Sequence, residues 1–128
     1  MKNKQIIQLI MAAGIVLTTT FSCTYDEVLP YVPDSGVEVL FSQDIIPIFE
    51  GNCISAGCHN GTVAPDLRPA NAYDALWTGG YINTEVPEQS ELYLWMIGAQ
   101  GLPMPPTGAV EVDNATVLQW IEQGAKNN

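Results

Sequence analysis

Basic side chains, histidine and cysteine are all scarce in this chain of 128 residues. Lys and Arg number 4 against 14 Asp and Glu, a formal net charge of −10. Lys2 and Lys4 open the chain, so only Arg68 and Lys126 are basic beyond them. A body this acidic repels phosphate, which argues against a nucleic-acid partner. No apolar run approaches the roughly 20 residues that a membrane-crossing helix needs. No alternating apolar run is long enough for a convincing strand, although positions 37 to 41 read as a short extended piece. The length excludes two large domains. The hydrophobic fraction of 47% excludes a disordered acidic tail. No internal repeat is visible.

The start of the chain has the layout of an export signal. Lys2 and Lys4 precede an apolar stretch from Ile6 to Leu17 that only Gln8 interrupts. The stretch suits the core of a signal peptide. Thr18, Thr19, Thr20, Phe21 and Ser22 then lead to Cys23. This arrangement resembles the bacterial lipoprotein signal, although Thr20 stands where that signal prefers leucine. The resemblance implies that residues 1–22 are removed and that Cys23 is lipidated. The alternative is an ordinary secretory signal, with Cys23 free or in a disulfide. Either way the mature chain is expected outside the cytosol. A lipid anchor would hold it on a membrane facing the periplasm. Asp26-Glu27 resembles the surface-export signal of some Bacteroidetes lipoproteins, which keeps the cell surface as a secondary reading.

Residues 23–36 contain Pro30, Pro33, Asp34, Ser35 and Gly36, which discourage regular structure. They read as an anchor and tether, and 37–128 as the folded body. A body of this size buries only somewhat over ~60% of its unfolded surface. It needs a good core or a staple such as a disulfide, metal or cofactor. Three main helices are expected. The first lies within 41–53, with Ser42 or Asp44 as cap and Pro47 in its first turn. Its apolar face is Ile45, Ile48 and Phe49, by the i, i+3, i+4 rule. The second covers 90–98, with Ser90 as cap and Gly98 as stop. The third covers 113–128, with Asp113 as cap and Val112 stapled onto Val117. Its buried face is Val117, Trp120 and Ile121. A shorter helical turn is expected at 71–77. The fold class is therefore all-α.

Two cysteines and the one histidine fall together in CISAGCH, as Cys53, Cys58 and His59. A c-type haem site needs two thiols to form thioethers with the porphyrin. It also needs a histidine directly after the second, so that the imidazole reaches the iron. The usual spacer between the cysteines is two residues. Here there are four, and Ser55 occupies the place of the usual first cysteine. Either both thiols bond the haem around a looped-out spacer, or Cys58 does so alone. With one histidine, two imidazole ligands from one chain are excluded. The methionines beyond the signal are Met96 and Met104. Met104 lies between Pro103 and Pro105, whose rigidity suits a sulfur held toward iron. Met96 lies in a helix, where core packing is the simpler account.

The order helix, CxxxxCH, proline-containing loop, helix, MPP loop and C-terminal helix resembles the small monohaem cytochrome c domain. The resemblance covers about positions 40 to 128. It is carried by FSQDIIPIF at 41–49, Leu92-Tyr93, MPP at 104–106 and WIEQGA at 120–125. It implies a cytochrome c-like fold of three main helices and short helical turns around one covalent haem c. Cys53 and Cys58 would be the attachment sites, His59 the proximal ligand and Met104 the distal one. In many members a proline carbonyl accepts the imidazole N–H, and Pro65 is the matching residue. The function implied is electron transfer, not catalysis, because both axial positions are filled. Ile48, Phe49, Val117, Trp120 and Ile121 are expected to cover the haem. Leu67, Leu94, Ile97 and Leu102 are further wall candidates. Arg68 is the basic residue nearest the motif and the first candidate to meet a haem propionate, with Trp77 and Tyr81 as alternatives.

Other readings of the same residues stand beside this one. Met104 could dissociate and free the iron, which would make a haem enzyme or small-ligand sensor. Cys53 and Cys58 could form a disulfide in a structural lipoprotein. The sulfur and imidazole groups could hold copper or zinc. The three tryptophans read as core rather than electron relay. The acidic surface serves solubility, and it could also steer a redox partner with a basic docking face. The export reading predicts that mass spectrometry of the mature protein finds an acylated Cys23 as the first residue. Cys23→Ser should release the protein from the membrane fraction. An unmodified Cys23 behind an intact leader would contradict it.

Overall fold

A computed structural model describes residues 36–128, and the leader, Cys23 and most of the tether lie outside the described residues. The described chain is helical, with no strand among those residues. A π-helical turn, Phe41–Ile45, runs into α1, Ile46–Asn52. Helix α2 is Ala72–Thr78. A 3-10 turn at Pro87–Gln89 leads into α3, Glu91–Met96, and α4 is Glu111–Glu122.

The first expected helix is thus split, and Pro47 supplies the reason. It has no N–H, and its ring would meet the carbonyl four residues earlier in a continuous α-helix. The chain instead takes a wider turn, in which the Ile46 N–H reaches the Phe41 carbonyl. Asp44 turns back to accept the Leu40 N–H at 2.7 Å. The segment from 71 to 77 forms a complete helix, as long as α1, where a short turn was expected.

Two expected caps take other partners, and one expected staple does not form. Ser90 is fully buried and makes no cap bond; its Oγ accepts the Asn83 N–H at 2.9 Å. This bond holds the 83–90 loop against the start of α3. Helix α4 starts at Glu111, two residues before Asp113. Asp113 Oδ2 instead accepts from Asn52 Nδ2 at 2.8 Å, which joins α4 to the end of α1. Val112 is 51% exposed, so it does not staple onto the buried Val117.

The core gathers the apolar faces that the helical periodicity marks out. Ile45, Phe49, Leu76, Val117, Trp120 and Ile121 are all buried. Ile48 is only partly buried and packs against their edge. Helix α4 rests on the π-helical turn and on α3. The Phe41 ring lies 5.2 Å from the Trp120 ring and meets Phe49 edge-on at 6.5 Å. The two ends of the body clasp each other. Gln123 takes the Val39 N–H at 2.8 Å and gives its amide to the Val37 carbonyl at 2.8 Å. The Ser42 N–H reaches the Asn128 carbonyl at 2.9 Å. The Trp120 indole N–H ends on the Lys126 carbonyl at 2.9 Å.

Trp120 therefore combines a large buried area with a satisfied polar end. Trp120→Ala should cost about 3–5 kcal/mol, a large share of the ~5–15 kcal/mol that holds a typical domain folded. Urea unfolding of the two proteins measures this. A loss below about 1 kcal/mol would contradict the packing described.

Candidate functional site

Helix α1 delivers Cys53 to the site. The Cys53 N–H closes the helix on the Phe49 carbonyl at 2.8 Å. The chain then loops out through Ile54, Ser55, Ala56 and Gly57. Gly57 sits at φ 85°, a conformation that glycine takes without the steric cost of a Cβ. The Cys58 N–H returns to the Ser55 carbonyl at 3.0 Å, and the His59 N–H reaches the Cys53 carbonyl at 3.1 Å. The four-residue spacer is thus a closed loop, and its ends bring His59 back beside Cys53. Both cysteines are half-buried free thiols.

His59 is held from both backbone and ring. Its carbonyl accepts the Leu67 N–H at 2.8 Å. Its Nδ1 lies 3.1 Å from the Pro65 carbonyl oxygen. A carbonyl only accepts, so Nδ1 must carry the ring proton in this bond. Nε2 is then the nitrogen with a free lone pair, the form that binds a metal. The Ala64–Pro65 peptide is cis, as is Met104–Pro105.

Met104 arrives from the other direction. After α3 the chain turns at Gly98 (φ 78°) and folds back so closely that a Cβ there would lie 3.4 Å from Pro103. The Met104 N–H donates to the Trp95 carbonyl at 3.0 Å, which fastens the MPP loop to the end of α3.

These segments enclose a cavity of about 310 Å³, within the ~300–1,000 Å³ usual for small-molecule and cofactor sites. Phe49, Cys53, His59, Pro65, Leu67 and Met104 all line it. Val63 and Ala64 complete the wall near Pro65, and Tyr81 closes another side. Helix α3 contributes Glu91, Leu92, Trp95 and Met96. Gly79 makes room for Tyr81, because a Cβ there would collide with the phenol ring.

Several expected wall residues lie elsewhere. Val117, Trp120 and Ile121 are buried in the core behind the cavity, because α4 packs on the π-helical turn and α3 rather than on the cavity wall. Ile48 and Leu94 are half-buried off the wall. Ile97 is 41% exposed just past α3, and Leu102 is 78% exposed on the Gly101–Pro103 turn. Trp77 and Cys58 are not on the lining. Arg68 is also off the wall. Its guanidinium grips Asp66 through Nε at 2.9 Å and Nη2 at 2.6 Å. That grip, with Asn71 adding a bond at 2.7 Å, holds the Asp66 carboxyl well below the usual carboxylate range.

The Leu92, Trp95 and Met96 part of the wall was open to sequence reasoning, because the three share a face by i, i+3, i+4 spacing. Glu91 gave no such signal beyond its place at the helix start. Among the described residues no three His, Cys, Asp or Glu side chains converge as a metal-binding group. A metal here would therefore need sulfur from methionine or a cofactor's own ligands. Comparison with family models, characterised proteins and solved structures finds no match to this chain.

The environment of Cys53 gives a direct test of the site. Burial, followed by the nearby Asp113 and Cys58, pushes its thiol pKa up to about 11. Thiolate is the form that reacts with alkylating agents, so Cys53 should label slowly with iodoacetamide at pH 8 in haem-free protein. Asp113→Asn should speed that labelling by removing a repelling charge. Peptide mapping gives the rate at each cysteine, and rapid labelling of Cys53 in the unaltered folded protein would contradict the geometry.

Proposed function

We propose that this protein is an exported, lipid-anchored c-type cytochrome that carries single electrons, with a cytochrome c-like arrangement of its helices around one covalent haem. The observation that carries the reading is the meeting of His59, Met104 and Cys53 on one largely apolar cavity, with His59 Nδ1 occupied by the Pro65 carbonyl. This donor set suits a porphyrin iron. His59 Nε2 and the Met104 sulfur would hold the iron, as one nitrogen and one thioether donor on the same cavity. That explains how an iron could bind where the described residues form no cluster of His, Cys, Asp and Glu.

Haem c, when bound, supplies a one-electron iron couple whose potential methionine raises relative to two nitrogen ligands. The protein's own residues do the rest. Cys53 and Cys58 would tie the porphyrin through thioethers, and Pro65 would hold the imidazole in its binding tautomer. Phe49, Leu67 and Leu92 give the cavity apolar wall. His59 and Met104 would both be taken up in holding the iron, which would leave it no position for substrate, and the reading is therefore of a carrier rather than an enzyme. The redox partner is a protein with a basic docking face, because both described cations are already paired, Arg68 with Asp66 and Lys126 with Glu38. The membrane is engaged through the lipid on Cys23, on the periplasmic side.

Production in a host with the cytochrome c assembly machinery tests this. The haem should survive acid–acetone extraction, and the iron should be low-spin with the weak red band of sulfur ligation. Met104→Ala should abolish that band. Cys53→Ala should retain covalent haem only if Cys58 suffices alone. Colourless protein from such a host would refute the proposal, and an unchanged red band in Met104→Ala would refute the distal assignment.

A further inference from the structure

The cavity wall carries one acidic side chain, Glu91, and neither lysine nor arginine among the described residues. Glu91 opens α3, and Trp95 stands one turn further along the same face. The Trp95 indole N–H donates to Glu91 Oε1 at 3.3 Å, and both side chains line the cavity. The bond ties a carboxylate to the wall. No described cation balances it there, since Arg68 is held by Asp66 at 2.6 Å and Lys126 by Glu38 at 3.0 Å.

We propose that Glu91 is a positioning charge that lowers the reduction potential of the group bound in the cavity. The inference rests on the haem reading above. On reduction the iron takes one electron from the donor and loses one unit of positive charge, and no bond at Glu91 forms or breaks. A fixed negative charge on the wall favours the more positive, oxidised iron by Coulomb attraction. Glu91 is also exposed to solvent, so dissolved salt screens the effect. The indole bond matters because it keeps the charge at the wall instead of free in solvent.

The test compares midpoint potentials of covalently loaded protein, titrated with chemical mediators at low ionic strength. Glu91→Gln removes the charge and keeps an acceptor for Trp95. Its potential should move to more positive values, with the absorption spectrum unchanged. Glu91→Lys should move it further in the same direction, and Glu91→Asp should stay near the unaltered protein. Glu88→Gln removes an equal charge from the neighbouring 3-10 turn, away from the wall, and should shift the potential less. Added salt should narrow the gap between Glu91→Gln and the unaltered protein. Haem content is measured first by acid–acetone extraction. If the unaltered protein holds no covalent haem, the function reading falls and this inference falls with it. If loaded Glu91→Gln or Glu91→Lys keeps the unaltered potential, or if Glu88→Gln shifts it equally, the inference alone is overturned.

Discussion

A single hydrogen bond, from His59 Nδ1 to the Pro65 carbonyl at 3.1 Å, constrains everything else at the site. It decides which ring nitrogen has a free lone pair, and so which one is available as a metal ligand. It also couples ring orientation to backbone geometry, because the loop that bears Pro65 returns to donate the Leu67 N–H to His59 at 2.8 Å. The imidazole is thus set before any ligand arrives. A ring free to rotate would have to lose that freedom on binding, which weakens the complex.

The rest of the fold serves to bring a second sulfur to the same place. Met104 is far from His59 in sequence, and the bond from its N–H to Trp95 ties its loop to α3. Helix α3 is itself held by the buried Ser90 and by α4. Helix α4 packs on the π-helical turn, and the two ends of the described body clasp each other through Gln123 and Asn128. A change deep in this core, at Trp120 for instance, would therefore be felt at the cavity although α4 does not line it. The acidic character of the surface reaches the wall itself through Glu91.

Much of this was readable in the sequence where the information was local. The apolar faces of the first and last helices follow helical spacing, and Phe49, Val117, Trp120 and Ile121 are buried as that spacing requires. The proximity of Cys53 and His59, and the turn through Gly98, also follow from short spacings. Distant competition was not readable. Asp113 was a good local cap, but Asn52 of α1 offered it a partner at 2.8 Å. Ser90 turned to Asn83 for the same kind of reason. Arg68 was the nearest cation to the motif, yet Asp66, two residues away, takes its Nε and Nη2. Leu102 was apolar and beside the MPP loop, but the Gly101–Pro103 turn points it outward, 78% exposed. Composition identifies a residue as fit for a wall; only the path of the chain decides whether it faces one.

The most direct test of the central claim follows the two methionines of the described residues, Met96 and Met104. In protein carrying isotope-labelled methionine methyl groups, NMR of the reduced state should show one methyl resonance displaced far upfield by the porphyrin ring current. Met96→Leu should retain that resonance, which assigns it to Met104. Two methyl signals at ordinary positions in haem-loaded protein, or a displaced signal lost with Met96, would contradict the account.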